Sequence, residues 1–250
     1  MPSTHNIDEI KRSALEASKT TIQNVDLTRY RNPPAETIYP LEYSFYLLGD
    51  VENKVVLDFG CGSGEEVVPL CQRGARVIGI DISPELIAIA RLRAHKYGVE
   101  AELRVGSAYE TQLAEESVDV VFCMSLIHHL EINRVKNEIW RVLKLGGRFI
   151  FKEPVRLSRT MKQLRRLFPP AEDVSEYEYP LNQDQLDELV SGFEVLACRN
   201  FRTPLVPLVE RIIKMPRLRR TIRSADDWVL RHLPIENFAT MRVMALKRKG

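Results

Sequence analysis

Residues 55–67 read VVLDFGCGSGEEV. The run Lys54–Phe59 (KVVLDF) is short, apolar and rich in valine, as expected of a strand buried on both faces. Asp58 stands at its end. Behind it Gly60, Gly62 and Gly64 alternate, which lets the main chain turn sharply and lets a ligand lie against backbone atoms. Glu65–Arg73 then takes a helical period, and Gly74 stops it. A strand, a glycine turn and a helix in this order are the first unit of a doubly wound sheet.

Outward from that unit the rhythm repeats. Arg76–Asp81 (RVIGID) is a second strand, and Ser83-Pro84-Glu85 starts a helix, with serine as N-cap and proline in the first turn. That helix runs to about Tyr97, where Gly98 closes it. Ala101–Val105, Val118–Met124 (VDVVFCM) and Arg148–Lys152 (RFIFK) read as strands three to five, with a helix from Glu131 to Leu143 ahead of a Gly146-Gly147 turn. A helix near Gln183–Val190 and strands at Phe193–Asn200 and Thr240–Lys247 follow. Strand–helix alternation at this spacing predicts an α/β fold with a mostly parallel sheet and helices on both faces. Residues 1–50, with Pro33-Pro34, read as one or two amphipathic helices and a turn. Residues 154–181 and 202–238 break the rhythm and read as insertions over one edge of the sheet.

The chain has 250 residues, 44% apolar and 28% charged, so one domain can bury a full core without disulfides or a structural metal. Its four cysteines (Cys61, Cys71, Cys123, Cys198) form no C-x-x-C pair, so no zinc site or disulfide framework is expected and metal ligation is not called for. Cys61 and Cys123 read as small buried residues rather than nucleophiles. No apolar run reaches the roughly 18–20 residues that a bilayer requires. The polar amino terminus lacks the apolar core of a secretory signal. A cytoplasmic protein is the expectation.

The residues after the glycines narrow the ligand. A dinucleotide fingerprint would need Gly or Ala at position 65, which is Glu65, followed by Glu66. Two carboxylates there complement a helix dipole and repel a pyrophosphate. No G-K-[ST] follows, which excludes a phosphate loop. The loop therefore favours a ligand without phosphates and with positive charge, and S-adenosylmethionine fits. Asp81, at the tip of the second strand, can accept both ribose hydroxyls. Ile82 can pack on adenine, and Gly106-Ser107-Ala108 can offer a hydroxyl and an amide to its edge.

With these stretches the sequence resembles the class I S-adenosylmethionine-dependent methyltransferases, in the small-molecule branch related to ubiquinone-type enzymes. The carrying residues are VLDFGCGSG at 56–64, VIGIDIS at 77–83, GSA at 106–108, SVDVVFCMSLIHHL at 117–130 and RVLKLGGRFIFKEP at 141–154. The resemblance implies a Rossmann-like methyltransferase fold of seven strands, the last antiparallel, over a cofactor core at 51–153. It also implies an amino-terminal helical flap at 1–50 and substrate-cap insertions at 154–181 and 202–238. It assigns Asp58, Gly60, Cys61, Gly62 and Gly64 to the methionine part of S-adenosylmethionine, and Asp81 and Ile82 to the nucleoside. Ser107 and Ala108 face the adenine, and the Cys123-Met124-Ser125 backbone borders the amino group. Many relatives carry Asp in place of Ser107. The implied function is methyl transfer to a small, apolar or amphipathic metabolite by in-line displacement, driven by alignment and desolvation. A regulatory or assembly protein that binds the same cofactor, or a non-methylating use of it, is the alternative.

His128 and His129 are neighbours on a turn and point about 100° apart, so one of them can face the reaction centre. His128 and Glu153 are separate candidates for a general base; the alternatives are a structural role or a substrate contact for His128, and a solvated strand-end pair with Arg156 for Glu153. Tyr30, Arg31, Tyr39 and Tyr43, ahead of the first strand, and Arg156 after the fifth, are candidate flap or substrate contacts.

The net charge of +2 hides an uneven distribution. Residues 199–250 carry net +9, 156–168 net +5, 169–198 net −8 and 1–155 net −4. The basic stretches fall in the insertions and carry few aromatics, so no nucleic acid partner is expected. The basic amphipathic stretch 204–223 suits a substrate lid or a peripheral contact with an anionic membrane surface. The alternative is a pair of cap helices whose charges are solvated or paired.

Overall fold

The computed structural model describes residues 17, 22, 26–157, 180–213 and 215–250. Seven strands form one sheet: β1 (Val55–Phe59), β2 (Arg76–Asp81), β3 (Glu102–Val105), β4 (Val118–Met124), β5 (Leu143–Pro154), β6 (Phe193–Phe201) and β7 (Met241–Arg248). Their order is β3-β2-β1-β4-β5-β7-β6. β7 runs antiparallel to both of its neighbours, and every other pairing is parallel. The doubly wound α/β sheet expected from the sequence, with its antiparallel last strand, is the fold observed. Strand order reverses at β1 and β4, and ligands of such sheets bind in the crevice beyond the carboxyl ends at that point.

The helices are α1 (Pro40–Leu48), α2 (Val67–Gln72), α3 (Pro84–Lys96), α4 (Ile132–Val142), α5 (Gln183–Val190), α6 (Leu205–Ile212) and α7 (Pro216–His232). The period-two alternation of a strand divides the core between the two faces of the sheet. Leu57, Val121, Phe149 and Phe151 pack with Ile139 of α4 and Leu189 of α5. Val56, Val120, Phe122 and Ile150 pack with Phe45 of α1, Leu70 of α2 and Ile87 of α3. Ser83 caps α3 by accepting the Leu86 N–H at 3.2 Å, as its sequence position predicts.

Two expectations are corrected. The helix after the glycine loop starts at Val67 rather than Glu65, so both carboxylates precede it, and Glu66 stands at the cap without a side-chain capping bond. Gly146-Gly147 is not a turn ahead of the fifth strand. β5 begins at Leu143, which pairs with Val118, and the ladder shifts register before Val120. A Cβ on Gly147 would lie 2.8 Å from the Lys144 carbonyl and from Leu143 Cδ2, so the glycines form a tight kink inside the strand.

Phe45 and Leu48 make α1 part of the core. Most of residues 1–25, and residues 158–179 of the first insertion, lie outside the described residues. α7 of the second insertion is tied to the edge strand by Arg199, which donates to Asp227 at 2.7 Å and to the carbonyls of Ala35 and Thr37, each at 2.8 Å. Among the described residues no helix is long and apolar enough to cross a membrane.

Candidate active site

The glycine loop is pinned to the end of β2. The N–H groups of Gly60 and Cys61 donate to the Ile80 carbonyl at 2.9 and 3.0 Å. The Asp81 carboxylate holds both sides of the crevice: Oδ2 accepts from Gly62 N at 3.0 Å and Oδ1 from Ser83 N at 2.9 Å. Each oxygen keeps a second lone pair for a ligand hydroxyl. A third restraint comes from Arg93 on α3, which is buried and donates through Nε to the Ser63 carbonyl at 2.9 Å. Arg93 is not among the residues that the glycine loop or the strand ends single out. The available signal was its place on the apolar stripe of α3, after Leu86, Ile87 and Ala90, where an arginine needs a reason to be.

The electrostatics of the loop are lopsided. Asp58 is 2% exposed, and its Oδ2 has no hydrogen-bond partner among the described residues. Burial, and then the negative charges of Glu66 and Asp81, push its carboxyl well above the ordinary range. Glu66 is raised by burial against the opposing pull of Lys152. Asp81 is raised by burial against its backbone hydrogen bonds. Three carboxylates thus crowd the carboxyl end of β1 and β2 with a deficit of positive charge, and a cation would relieve it. A Cβ built on Gly62 meets nothing within 4 Å, so the main chain there opens onto free space. An orphaned carboxylate beside an open glycine backbone fits a ligand with a cationic amino-acid end.

At the tips of β4 and β5 the structure joins two residues that the sequence named separately. Glu153 is fully buried, and its Oε2 lies 2.7 Å from His128 Nδ1. Its Oε1 accepts from the N–H groups of Leu126 and Ile127 at 2.9 and 2.8 Å. With Glu153 as a carboxylate its oxygen accepts from Nδ1–H, and a neutral ring in that tautomer keeps its lone pair on Nε2. Ser125, with a left-handed φ of 62°, donates its N–H to the Lys152 carbonyl at 2.8 Å and turns the chain out of β4.

The other named residues separate. Ser107 and Ala108 follow β3 at the same end of the sheet, and Ser107 Oγ accepts from Tyr109 N at 3.2 Å. Ile82 and Met124 are half-buried at the ends of β2 and β4, and burial pushes up the thiols of Cys61 and Cys123. Tyr30 packs on Phe45, with ring centroids 4.8 Å apart, and lines a small cavity with Glu65, Glu66 and Arg93. Tyr39 lies between the guanidinium groups of Arg29 (4.9 Å) and Arg223 (5.3 Å). Tyr43 faces away from the crevice onto Phe201 and Arg199. Arg31 is exposed, and Arg156 is half-buried beside Leu181.

A doubly wound sheet with an acidic glycine crevice at its switch point defines a nucleoside-cofactor binding fold. Residues 57–151 match a family described as a methyltransferase domain. The ubiquinone biosynthesis O-methyltransferase of Xylella fastidiosa (strain 9a5c) is 38% identical over 96 residues, 37% of this chain and 39% of that one. Its counterpart in Yersinia pestis (strain Pestoides F) is 30% identical over 151 residues, 59% of this chain and 61% of that one. The chain spans about half the length of the curated relatives it matches. Among solved structures, geranyl diphosphate C-methyltransferase from Streptomyces coelicolor A3(2) has a TM-score of 0.65 at 15% identity, covering 99% of this chain and all of that one. The [4+2]-cyclase SpnF has a TM-score of 0.62 at 15% identity, covering 99% and 97%. Residues 57–151 are thus similar to a methyltransferase domain, set in a sheet of the fold those solved structures share.

Proposed function

We propose that this protein transfers a methyl group from S-adenosylmethionine to a small-molecule acceptor, and that the acidic crevice at β1 and β2 holds the cofactor. The observation that carries this reading is the orphaned Asp58 carboxylate set between Glu66 and Asp81. Asp58 and the backbone of Gly60, Cys61, Gly62 and Gly64 receive the amino-acid end. Asp81 and Ile82 receive the ribose and one face of the adenine, Ser107 and Ala108 its edge, and the backbone of Cys123, Met124 and Ser125 borders the amino group. Bound S-adenosylmethionine supplies an already activated methyl group, so the protein's own task is alignment and exclusion of water. His128 Nε2, held in its tautomer by Glu153, is the group placed to take a proton from an acceptor that must lose one.

The domain plan follows the same reading. Residues 51–153 bind the cofactor, 1–50 flank it as a flap, and 154–181 and 202–238 cap the acceptor. Leu205, Ile212, Met215 and Leu218 are exposed on the second cap beside Arg217 and Arg220, which supports a peripheral contact of 204–223 with an anionic membrane surface. Co-sedimentation with phosphatidylglycerol vesicles should then occur, and an Ile212→Glu, Met215→Glu double variant should lose it. Equal sedimentation of both proteins would remove the membrane from the account.

The cofactor assignment has a pH signature. A carboxyl raised in the folded state binds protons more tightly there than in the unfolded chain. The cofactor-free protein therefore loses stability as pH rises from the ordinary carboxylate range through Asp58's raised value. A cation at Asp58 reverses the preference, so cofactor binding should release a proton in that window and tighten as pH rises. Calorimetry with S-adenosylmethionine in buffers of different ionisation enthalpy measures the proton directly. Asp58→Asn should reduce the release, with Glu66 and Asp81 still raised beside it, and weaken binding by about tenfold or more. Unchanged affinity in Asp58→Asn would sink the assignment. Tight cofactor binding with no transfer across an acceptor screen would favour a non-methylating use of the same fold.

A further inference from the structure

We propose that the basic cavity beside the cofactor crevice receives a phosphate-type anionic group of the acceptor, an inference that rests on the methyltransferase reading. The cavity, of about 230 Å³, is lined by Arg29, Tyr39, Lys152, Arg202, Arg223 and Met241. Four cations around one small space are costly unless each is compensated. Two of them are. Arg29 donates through Nε to Glu42 at 2.7 Å, and Arg223 holds Glu210 with both Nε and a terminal nitrogen.

The other two are not. Among the described residues the side chains of Lys152 and Arg202 make no hydrogen bond or ion pair. The acids that act on Arg202 through space are Glu210 and Asp226. Glu210 is taken by Arg223, and Asp226 accepts from the N–H and hydroxyl of Thr203 at 3.1 and 2.5 Å. Lys152 acts through space on Glu66. Arg202 is also held in an uncommon backbone state. Its φ is +59°, and its carbonyl accepts from both the N–H (2.8 Å) and the hydroxyl (2.9 Å) of Thr240. Two hydrogen bonds thus fix the left-handed backbone of Arg202, a residue that lines the cavity with its charge unpaired.

The geometry states which anion fits. Two unpaired charges match a phosphate ester, which carries about −1.5 to −2 at neutral pH, better than a carboxylate with −1. A guanidinium presents its donors as a fork that suits phosphate oxygens, and a lysine ammonium adds a point charge. The position fits an acceptor. Lys152 pairs across from Met124 of β4, and its carbonyl holds Ser125, so the cavity adjoins the strand tip assigned to the cofactor. The second insertion contributes Arg223, and Arg202 lies at its root. The site is therefore divided by charge, with carboxylates for a cationic cofactor on one side and unpaired cations for an anionic acceptor on the other.

The test is calorimetry of inorganic phosphate, with acetate as comparator, on the full chain with and without S-adenosylhomocysteine. Arg202→Gln keeps side-chain length and removes the charge. It should weaken phosphate binding about tenfold or more while leaving S-adenosylhomocysteine affinity and the thermal midpoint unchanged. Equal phosphate affinity in both proteins, or acetate binding as tightly as phosphate, overturns the proposal. Loss of S-adenosylhomocysteine binding alone, with phosphate retained, would instead count against the methyltransferase reading and leave the anion site standing. A competition arm separates the sources of the phosphate. Displacement by glycerol 3-phosphate supports a soluble acceptor, displacement by phosphatidic acid vesicles supports a lipid headgroup, and displacement by neither overturns the proposal.

Discussion

Glu153→Gln is expected to leave the protein folded and to slow methyl transfer by about 10²–10⁴-fold, the usual contribution of a placed acid–base group. The glutamine carbonyl can still accept from the N–H groups of Leu126 and Ile127, which Glu153 Oε1 does now at 2.9 and 2.8 Å. The amide nitrogen takes the place of Oε2, 2.7 Å from His128 Nδ1, and there it donates where the carboxylate accepted. The ring proton is driven to Nε2, and the lone pair that would take the acceptor's proton is gone. The loss should fall on kcat rather than on KM for the acceptor, because no binding contact changes. Glu153→Ala differs in kind. It leaves two buried N–H groups without an acceptor, at about 1–3 kcal/mol each, and should show as a lowered thermal midpoint. Label transfer from S-adenosylmethionine, followed across pH, separates the two. If Glu153→Gln turns over like the parent at every pH, the dyad only anchors the turn after β4, and alignment alone carries catalysis.

That dyad shows where the sequence was legible and where it was not. His128 and Glu153 were both candidates from their places after the fourth and fifth strands, yet nothing local to either said that they touch. Parallel neighbours in a sheet meet across long separations, and β4 and β5 bring their tips together over 25 residues. The glycine loop, Asp58 and Asp81 were readable because their meaning is local: a strand end, a sharp turn and a helix start, each with its own residue chemistry. The start of β5 was misread for the same reason in reverse. A glycine pair looks like a turn, and only pairing of Leu143 with Val118 makes it a kink within a strand. The charge count locates the basic stretches along the chain. It could not tell Arg223, which Glu210 neutralises, from Arg202, because compensation depends on which acid folds beside which base. Lys152 was hidden further, since a lysine at a strand end ordinarily reads as solvated.

The largest stability effect is expected at Gly64. It has φ +79°, and a Cβ there would lie 2.9 Å from Ala90 Cβ and 3.1 Å from Ala90 Cα. The obstruction is backbone rather than the end of a flexible chain. Ala90 is 1% exposed on α3, which Ile87 and Ala94 press against the sheet, so the helix cannot step aside without opening the core. A left-handed alanine costs about 1–2 kcal/mol and the overpacking about 1–3 more, so Gly64→Ala should lose about 2–5 kcal/mol in all. For a chain of this size that is a fall of roughly 5–20 °C in thermal midpoint. Gly62→Ala is the matched control. Its φ is also left-handed, at +49°, but its Cβ would meet nothing within 4 Å. It should cost only the backbone share of about 1–2 kcal/mol. Its methyl group enters the space proposed for the cofactor, so its S-adenosylmethionine affinity should fall more than its stability does. Thermal melts and cofactor titrations of the two variants should therefore rank them oppositely. If both variants melt alike, α3 yields to the new methyl group, and the close approach of loop to helix is not what shapes the crevice.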